Sequence, residues 1–228
     1  MIQRLLPPRL EAAVSFVRPH SVTADVGTDH GLLATALIQR GICPHVWASD
    51  LRKGPLSRAQ KRVEELGLQQ QIDLCLCPGL EKLPLEDIGD VVIAGMGPEV
   101  IASILQDALP GLTSRHRLIL QPMAKPEILR LWLAEHGFRL VAERLCRDSG
   151  KLYAVLVAEP GQMPIPSAAE CLTGILTQGD PLLKDWCAKE SARLRREAAG
   201  LEKGGLTEKA AQLRALAQTV EAKGEAAR

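Results

Sequence analysis

The sequence predicts an α/β protein: a doubly wound sheet of seven strands whose last strand runs antiparallel, followed by a C-terminal helical hairpin. Apolar runs of strand length alternate with stretches of helical periodicity, the pattern of a largely parallel sheet covered on both faces. A turn rich in glycine and aspartate, DVGTDHG from Asp25 to Gly31, joins the first such run to the helical pattern behind it. At Glu159 the composition changes, and a proline-rich segment gives way to Ala, Leu, Lys, Arg and Glu.

In chain order, strands are expected near Thr23 to Val26, Val46 to Ser49, Ile72 to Leu76, Val91 to Ala94, Leu118 to Leu120, Phe138 to Arg144 and Tyr153 to Ala158. Helices are expected at Arg9 to Val17, His30 to Gln39, Pro55 to Leu66, Glu99 to Ala108 and Pro126 to His136. Pro55 and Pro126 are read as first helical residues, where a fixed φ and a missing N–H cost nothing. Only Leu145 to Leu152 join the last two strands, which is too short for a helical crossover, so the final strand should be antiparallel. The segment Glu159 to Ser167 holds three prolines and a glycine and reads as a linker. Residues 1–160 then form the main domain, and residues 161–228 the linker and a coiled-coil-like helical domain. Pro181 to Ala199 and Leu206 to Lys223 each carry one apolar stripe, with Gly204 and Gly205 between them. The two helices should pack on each other or on the main domain. Arg193, Arg195 and Arg196 could alternatively grip RNA.

At 228 residues, with 46% hydrophobic residues, the chain can bury a full core. Its net charge of +1 excludes a global basic field, so any nucleic-acid contact must come from local patches. The six cysteines are dispersed; Cys75 and Cys77, read as lying in one strand, would point to the same face. No zinc framework follows, and no metal is expected. The N-terminus has no apolar stretch long enough for a signal peptide or a membrane span, so a reduced cytoplasmic protein is expected.

The turn carries the chemistry. Gly27 and Gly31 can take dihedrals closed to other residues and let a ligand approach the main chain. A dinucleotide fingerprint would read G-x-G-x-x-G, whereas here the spacing is G-x-x-x-G with Thr28, Asp29 and His30 inside. A carboxylate there would repel a pyrophosphate but suits the cationic amino-acid end of S-adenosylmethionine. Ordinary helix capping is the competing reading. Asp50, followed by Leu51, closes the second strand, where a carboxylate can accept from both ribose hydroxyls. After the third strand, Gly79 and Leu80 offer backbone groups and an apolar wall to an adenine. After the fourth, Ala94, Gly95, Met96 and Gly97 are too glycine-rich for an interior strand and should line a pocket.

Taken in order, DVGTDHG, ASDLRKGPLSRAQ (Ala48 to Gln60), Gly79-Leu80, VIAGMG (Val92 to Gly97), LILQP (Leu118 to Pro122), LRLWL (Leu129 to Leu133) and GKLYAVL (Gly150 to Leu156) resemble the bacterial tRNA adenine-N1-methyltransferases of the TrmK type. The resemblance covers roughly the first 160 residues. It implies a class I, Rossmann-like S-adenosylmethionine-dependent methyltransferase with a small helical C-terminal region, and methylation of adenosine 22 in the D-arm of tRNA. It also implies that Asp25, Gly27, Asp29 and His30 lie around the methionine part of the cofactor and Asp50 on its ribose. The chain departs from the family's pattern at Leu32, where an aromatic platform is expected, and at Pro78, which removes a carboxylate for the adenine amine. Pro98 and Met123 depart as well, the first deleting one N–H donor.

The expected reaction is direct displacement at the methyl carbon, in which alignment of the reactants supplies much of the rate. Asp29 is the catalytic candidate, stabilising charge that arrives on the base; anchoring the cofactor or capping the helix are its other possible roles. His30 reads as a hydrogen-bonding turn residue. Enzymes acting on exocyclic amines use an (Asn/Asp)-Pro-Pro-aromatic segment after the fourth strand, and the AGMG segment offers neither acceptor nor ring. Two basic groups, Arg52, Lys53, Arg58, Lys61 and Arg62, and Arg115, His116 and Arg117, read either as contacts to tRNA phosphates or as a solvated helix face and loop. With aromatics at 3% and placed in strands or apolar stripes, tRNA would be read by shape and backbone. A methyltransferase with a small-molecule or protein acceptor, or a non-catalytic RNA-binding relative, are the alternatives.

Overall fold

The computed structural model describes residues 6–226. Its sheet has seven strands in the order β3-β2-β1-β4-β5-β7-β6: β1 (Thr23–Val26), β2 (Val46–Asp50), β3 (Ile72–Leu76), β4 (Asp90–Met96), β5 (Arg117–Pro122), β6 (Phe138–Asp148) and β7 (Lys151–Pro160). The first five pair in parallel. As expected, β7 is antiparallel to both neighbours, slotting between β5 and β6. The order reverses between β1 and β4, and this switch point opens a crevice at the carboxyl ends of the strands.

Helices cover both faces because the crossovers of a parallel sheet must lie on them. On one side α1 (Pro8–Val14), α2 (Leu32–Gln39) and α3 (Lys53–Glu65) pack Ala13, Leu37 and Val63 against Val46, Val92 and Ile119. On the other, α4 (Pro98–Ala108) and α5 (Pro126–Glu135) pack Ile101, Leu105, Leu129 and Leu133 against Val91, Ile93 and Leu118. Full burial of each Leu or Ile contributes about 1.5–3 kcal/mol, so the two-sided core fixes the sheet on which the crevice is built.

Several boundaries differ from the sequence reading. The stretch expected as a loop is strand: β6 and β7 run on until only Ser149 and Gly150 separate them, at φ 49° and 76°. Positive φ at both central residues is what a two-residue hairpin demands. α3 begins at Lys53, making Pro55 its third residue, where its missing N–H is still one of the orphan donors. The strand expected to end at Ala94 continues to Met96 through an irregularity at Gly95. Cys77 lies past the end of β3, not within it; it is buried while Cys75 is half-buried. The cysteines are free, and burial pushes Cys43, Cys77 and Cys146 up to about 11.

The expected linker is short, because β7 extends to Pro160 and a helix α6 (Ala168–Thr173) follows, capped by a reciprocal Ser167 and Glu170 box. α7 (Leu183–Lys203) and α8 (Thr207–Glu225) then form the hairpin. Its apolar stripe buries Trp186, Leu194, Ala217 and Val220 against Leu145, Ala154 and Leu172. A fully buried ion pair adds a tie: Arg130 Nε donates to Glu143 Oε1 at 2.6 Å and Nη1 to the Cys171 carbonyl, while Glu143 Oε2 accepts from the Ile175 and Leu176 amides. No helix among the described residues is long and apolar enough to cross a membrane.

Candidate functional site

The crevice is held open by hydrogen bonds running from strand tip to strand tip. Leaving β1, the chain turns at Gly27, φ 74°, and the Gly27 and Thr28 amides both donate to the Ser49 carbonyl of β2, at 2.8 and 2.9 Å. The Ser49 hydroxyl in turn donates to the Gly79 carbonyl beyond β3, at 2.8 Å. The positive φ of Gly27 favours glycine, and a Cβ here would also have to displace the Met96 methyl packed against the turn. Gly31, φ 66°, then leads into α2, packed so closely that a Cβ would stand 3.2 Å from that of Ala59 in α3.

These elements enclose a cavity of about 720 Å³. Asp25, Gly27, Thr28, Asp29, His30, Asp50, Leu51, Gly79, Ala94, Gly95 and Met96, all singled out in the sequence, line it. Leu80 does not: it is buried and lines an adjoining cavity of about 650 Å³. Gly95, φ 78°, donates its amide to Gln121 Oε1 at 3.1 Å, so β5 fixes the end of β4.

Asp25 is buried, accepting from the Thr28 hydroxyl at 2.6 Å and the Ala34 amide at 3.3 Å. Burial nevertheless pushes its carboxyl up to about 6, with the charge of Asp50 acting in the same direction. Among the described residues no cationic side chain pairs with it. Asp50 is also buried; its oxygens accept from the Asp29 amide at 3.3 Å and the Arg52 amide at 2.8 Å, each retaining a lone pair toward the cavity. The guanidinium of Arg52 is solvated and only 3.7 Å away, which contributes little. Asp29, φ 51°, exposes its carboxylate at the mouth, 3.5 Å from His30 Nε2.

Sequence reasoning missed a wall. Val100, Ser103, Ile104 and Asp107 lie along one stripe of α4 and face the cavity, while Ile101 and Leu105 face the sheet. A second apolar or polar stripe at i, i+3, i+4, i+7 was the available signal. Arg9 and Leu10 of α1 close the far end. Carboxylates dominate the lining: Asp25, Asp29, Asp50, Glu99 and Asp107 outnumber Arg9 and Arg52. Such a cavity disfavours a polyphosphate and favours a cation.

Of the basic groups, Arg52, which lines the cavity just before α3, and Lys53, Arg58 and Lys61 on α3 are exposed, with Lys61 beside Glu65. Of the second group only Arg115 is exposed, and His116 and Arg117 are structural, which corrects the sequence reading for those two. His116 is buried with Nε2 bonded to the Leu85 carbonyl, Arg117 is paired with Glu159, and both lie where β5 begins, at the opposite end of the sheet. In the hairpin, Arg193 is engaged by Glu127, Glu190 and Glu197, and Arg195 by Glu221.

The site fits a sulfonium nucleoside on its own evidence: a left-handed glycine turn at the first strand tip, a buried carboxylate without a cation, and a second at the next strand tip. A methyltransferase-domain family model matches residues 6–156. The Bacillus subtilis (strain 168) tRNA (adenine(22)-N(1))-methyltransferase is 34% identical over 156 residues, 68% of this chain; the matched stretch spans 66% of that enzyme, just under two thirds. The structure of Streptococcus pneumoniae Sp1610 in complex with S-adenosyl-L-methionine is 35% identical and superposes with a TM-score of 0.84, covering 93% of this chain and 98% of that one. The B. subtilis M1A22 tRNA methyltransferase TrmK superposes at 0.86 with 26% identity, over 95% of this chain and 99% of its own.

Proposed function

This chain belongs to the family of the B. subtilis tRNA (adenine(22)-N(1))-methyltransferase, and from that premise we propose that it methylates N1 of an adenine in tRNA, adenosine 22 of the D-arm. The observation that carries the reading is the convergence of the Gly27 cradle, buried Asp25 and Asp50 on one cavity at the switch point.

In this reading Asp25, through the turn it anchors, holds the cationic amino-acid end of the cofactor. Asp50 accepts from the ribose hydroxyls, Leu51 covers a face of the adenine, and Gly79 supports its edge. Leu80 acts from below, as apolar packing under Gly79. When bound, S-adenosylmethionine supplies a methyl carbon activated by its sulfonium. Adenine N1 presents an in-plane lone pair at neutral pH, so the protein needs no general base to start. Its task is to hold that lone pair in line with the breaking bond, which alone can account for a large part of the rate. Ala94, Gly95 and Met96 form the wall against which the base is aligned. Asp29, exposed at the mouth, stabilises the positive charge arriving on the base, and His30 orients it.

A flipped base must bring its backbone with it, and Arg52 at the cavity and the exposed cations of α3 behind it suit tRNA phosphates. The chemistry then rests with residues 1–160, with α6, α7 and α8 as a separate helical unit packed on β6 and β7. Free cysteines and a tRNA substrate support a cytoplasmic setting. Incubation with tritiated S-adenosylmethionine and unmodified bulk tRNA, followed by nucleoside analysis, tests the reading. Label in N1-methyladenosine is the expected result; label in another nucleoside, or none in tRNA, contradicts it.

A further inference from the structure

We propose that Asp107 receives the exocyclic amine of the cofactor's adenine and so selects an adenosyl ligand; the inference rests on the cofactor reading above and assigns it a residue. The second cavity, about 650 Å³, shares Pro78, Gly79, Ile104 and Asp107 with the first. Asp107 is the one charged side chain among the described residues that lines both; Glu81 and Glu86 line the second alone. An adenine carried beyond a ribose at Asp50 enters this junction, because β3 pairs beside β2 with Leu76 opposite Asp50, and Pro78 and Gly79 follow directly.

An adenine amine needs an acceptor, and the carbonyls of the loop beside it each already accept one bond within the chain. Pro78 has no N–H, and its carbonyl accepts from the Glu81 amide at 3.3 Å. The Gly79 carbonyl accepts from Ser49 Oγ at 2.8 Å. A Cβ on Gly79 would come within 2.7 Å of Ile104 Cγ2, so the Ile104 side chain packs directly on the Gly79 backbone. Across the junction, α4 presents Ile104 as an apolar surface and Asp107 as an acceptor one turn on. The carboxylate forms no hydrogen bond or ion pair with any described residue and is exposed. It also stands in the last turn of α4, where the helix dipole disfavours an anion and no basic residue compensates. Local structure gives no reason for an acid here; a donor on the ligand does.

The test compares S-adenosylhomocysteine with its analogue lacking the purine 6-amino group, by calorimetry on the full chain. The wild type is expected to prefer the amine-bearing ligand about tenfold, as for a hydrogen bond to a charged group. Asp107→Ala should bind both ligands equally, at the weaker affinity, and Asp107→Asn should keep part of the preference, since its carbonyl still accepts. Both variants should melt no lower than the wild type. An unchanged preference in Asp107→Ala overturns the assignment while leaving the cofactor reading intact. Failure of the wild type to bind S-adenosylhomocysteine overturns both.

Discussion

Where the parallel strands begin, charges meet partners within the chain; where they finish, carboxylates are left facing a cavity. At the first end Arg18 pairs with fully buried Asp90 at 2.6 Å and its guanidinium also donates to the Gly89 and Arg115 carbonyls. Beside it Arg117 and Arg139 converge on Glu159, which the Arg117 hydrogen bond, with both charges, holds below the usual carboxylate range. At the other end Asp25 is equally buried but has no cation, and its carboxyl is pushed up rather than down. The difference separates residues kept for stability from residues kept for a ligand, since an uncompensated buried acid lowers the stability of the free protein.

The largest effect expected from breaking this contrast is at the paired end. Arg18→Ala leaves Asp90 buried without its cation and should cost about 3 kcal/mol of unfolding free energy, at the low end for a buried pair because Arg18 is partly solvated. Urea denaturation measures this, and cofactor affinity of the folded protein should not change. At the cavity end the sign reverses. The Asp25 carboxyl is raised from 3.8 to about 6, so the folded state prefers its neutral form; that contribution is complete below pH 3.8 and is lost as the pH rises through about 6. Asp25→Asn stays neutral and should flatten this dependence, making the free protein about 3 kcal/mol more stable at pH 8 than the wild type. The same variant should bind S-adenosylmethionine at least about tenfold more weakly. Denaturation at pH 5 and pH 8 with and without the ligand reads both effects.

Much of the cavity end could be read from the sequence because its signals are local. Gly27 and Gly31 announce left-handed turns, Asp50 follows a β-branched and aromatic run, and the short joint after Asp148 forces an antiparallel partner. What escaped depends on contacts far apart in the chain. His116 and Arg117 look like a basic patch until Leu85 and Glu159 are seen beside them. Asp107 looks like an ordinary solvated residue until Gly79 brings the β3 exit against α4. The helix α6 did carry a local signal, Ser167 with Glu170 three residues on, but the prolines before it suggested a linker. Leu80 reads in the sequence as an apolar wall for the adenine; after the turn at Gly79, φ 56°, its side chain is buried and lines the adjoining cavity.

The central claim is that Asp25 is held uncompensated until a cationic nucleoside arrives, and proton release on binding tests it most directly. Calorimetric titration of the wild type with S-adenosylmethionine at pH 6, in two buffers of different ionisation enthalpy, should show about half a proton released per ligand, because a carboxyl with a pKa of about 6 is half protonated there and the bound cation drives it to ionise. Binding heats that are the same in both buffers, or no binding at all, would contradict the account.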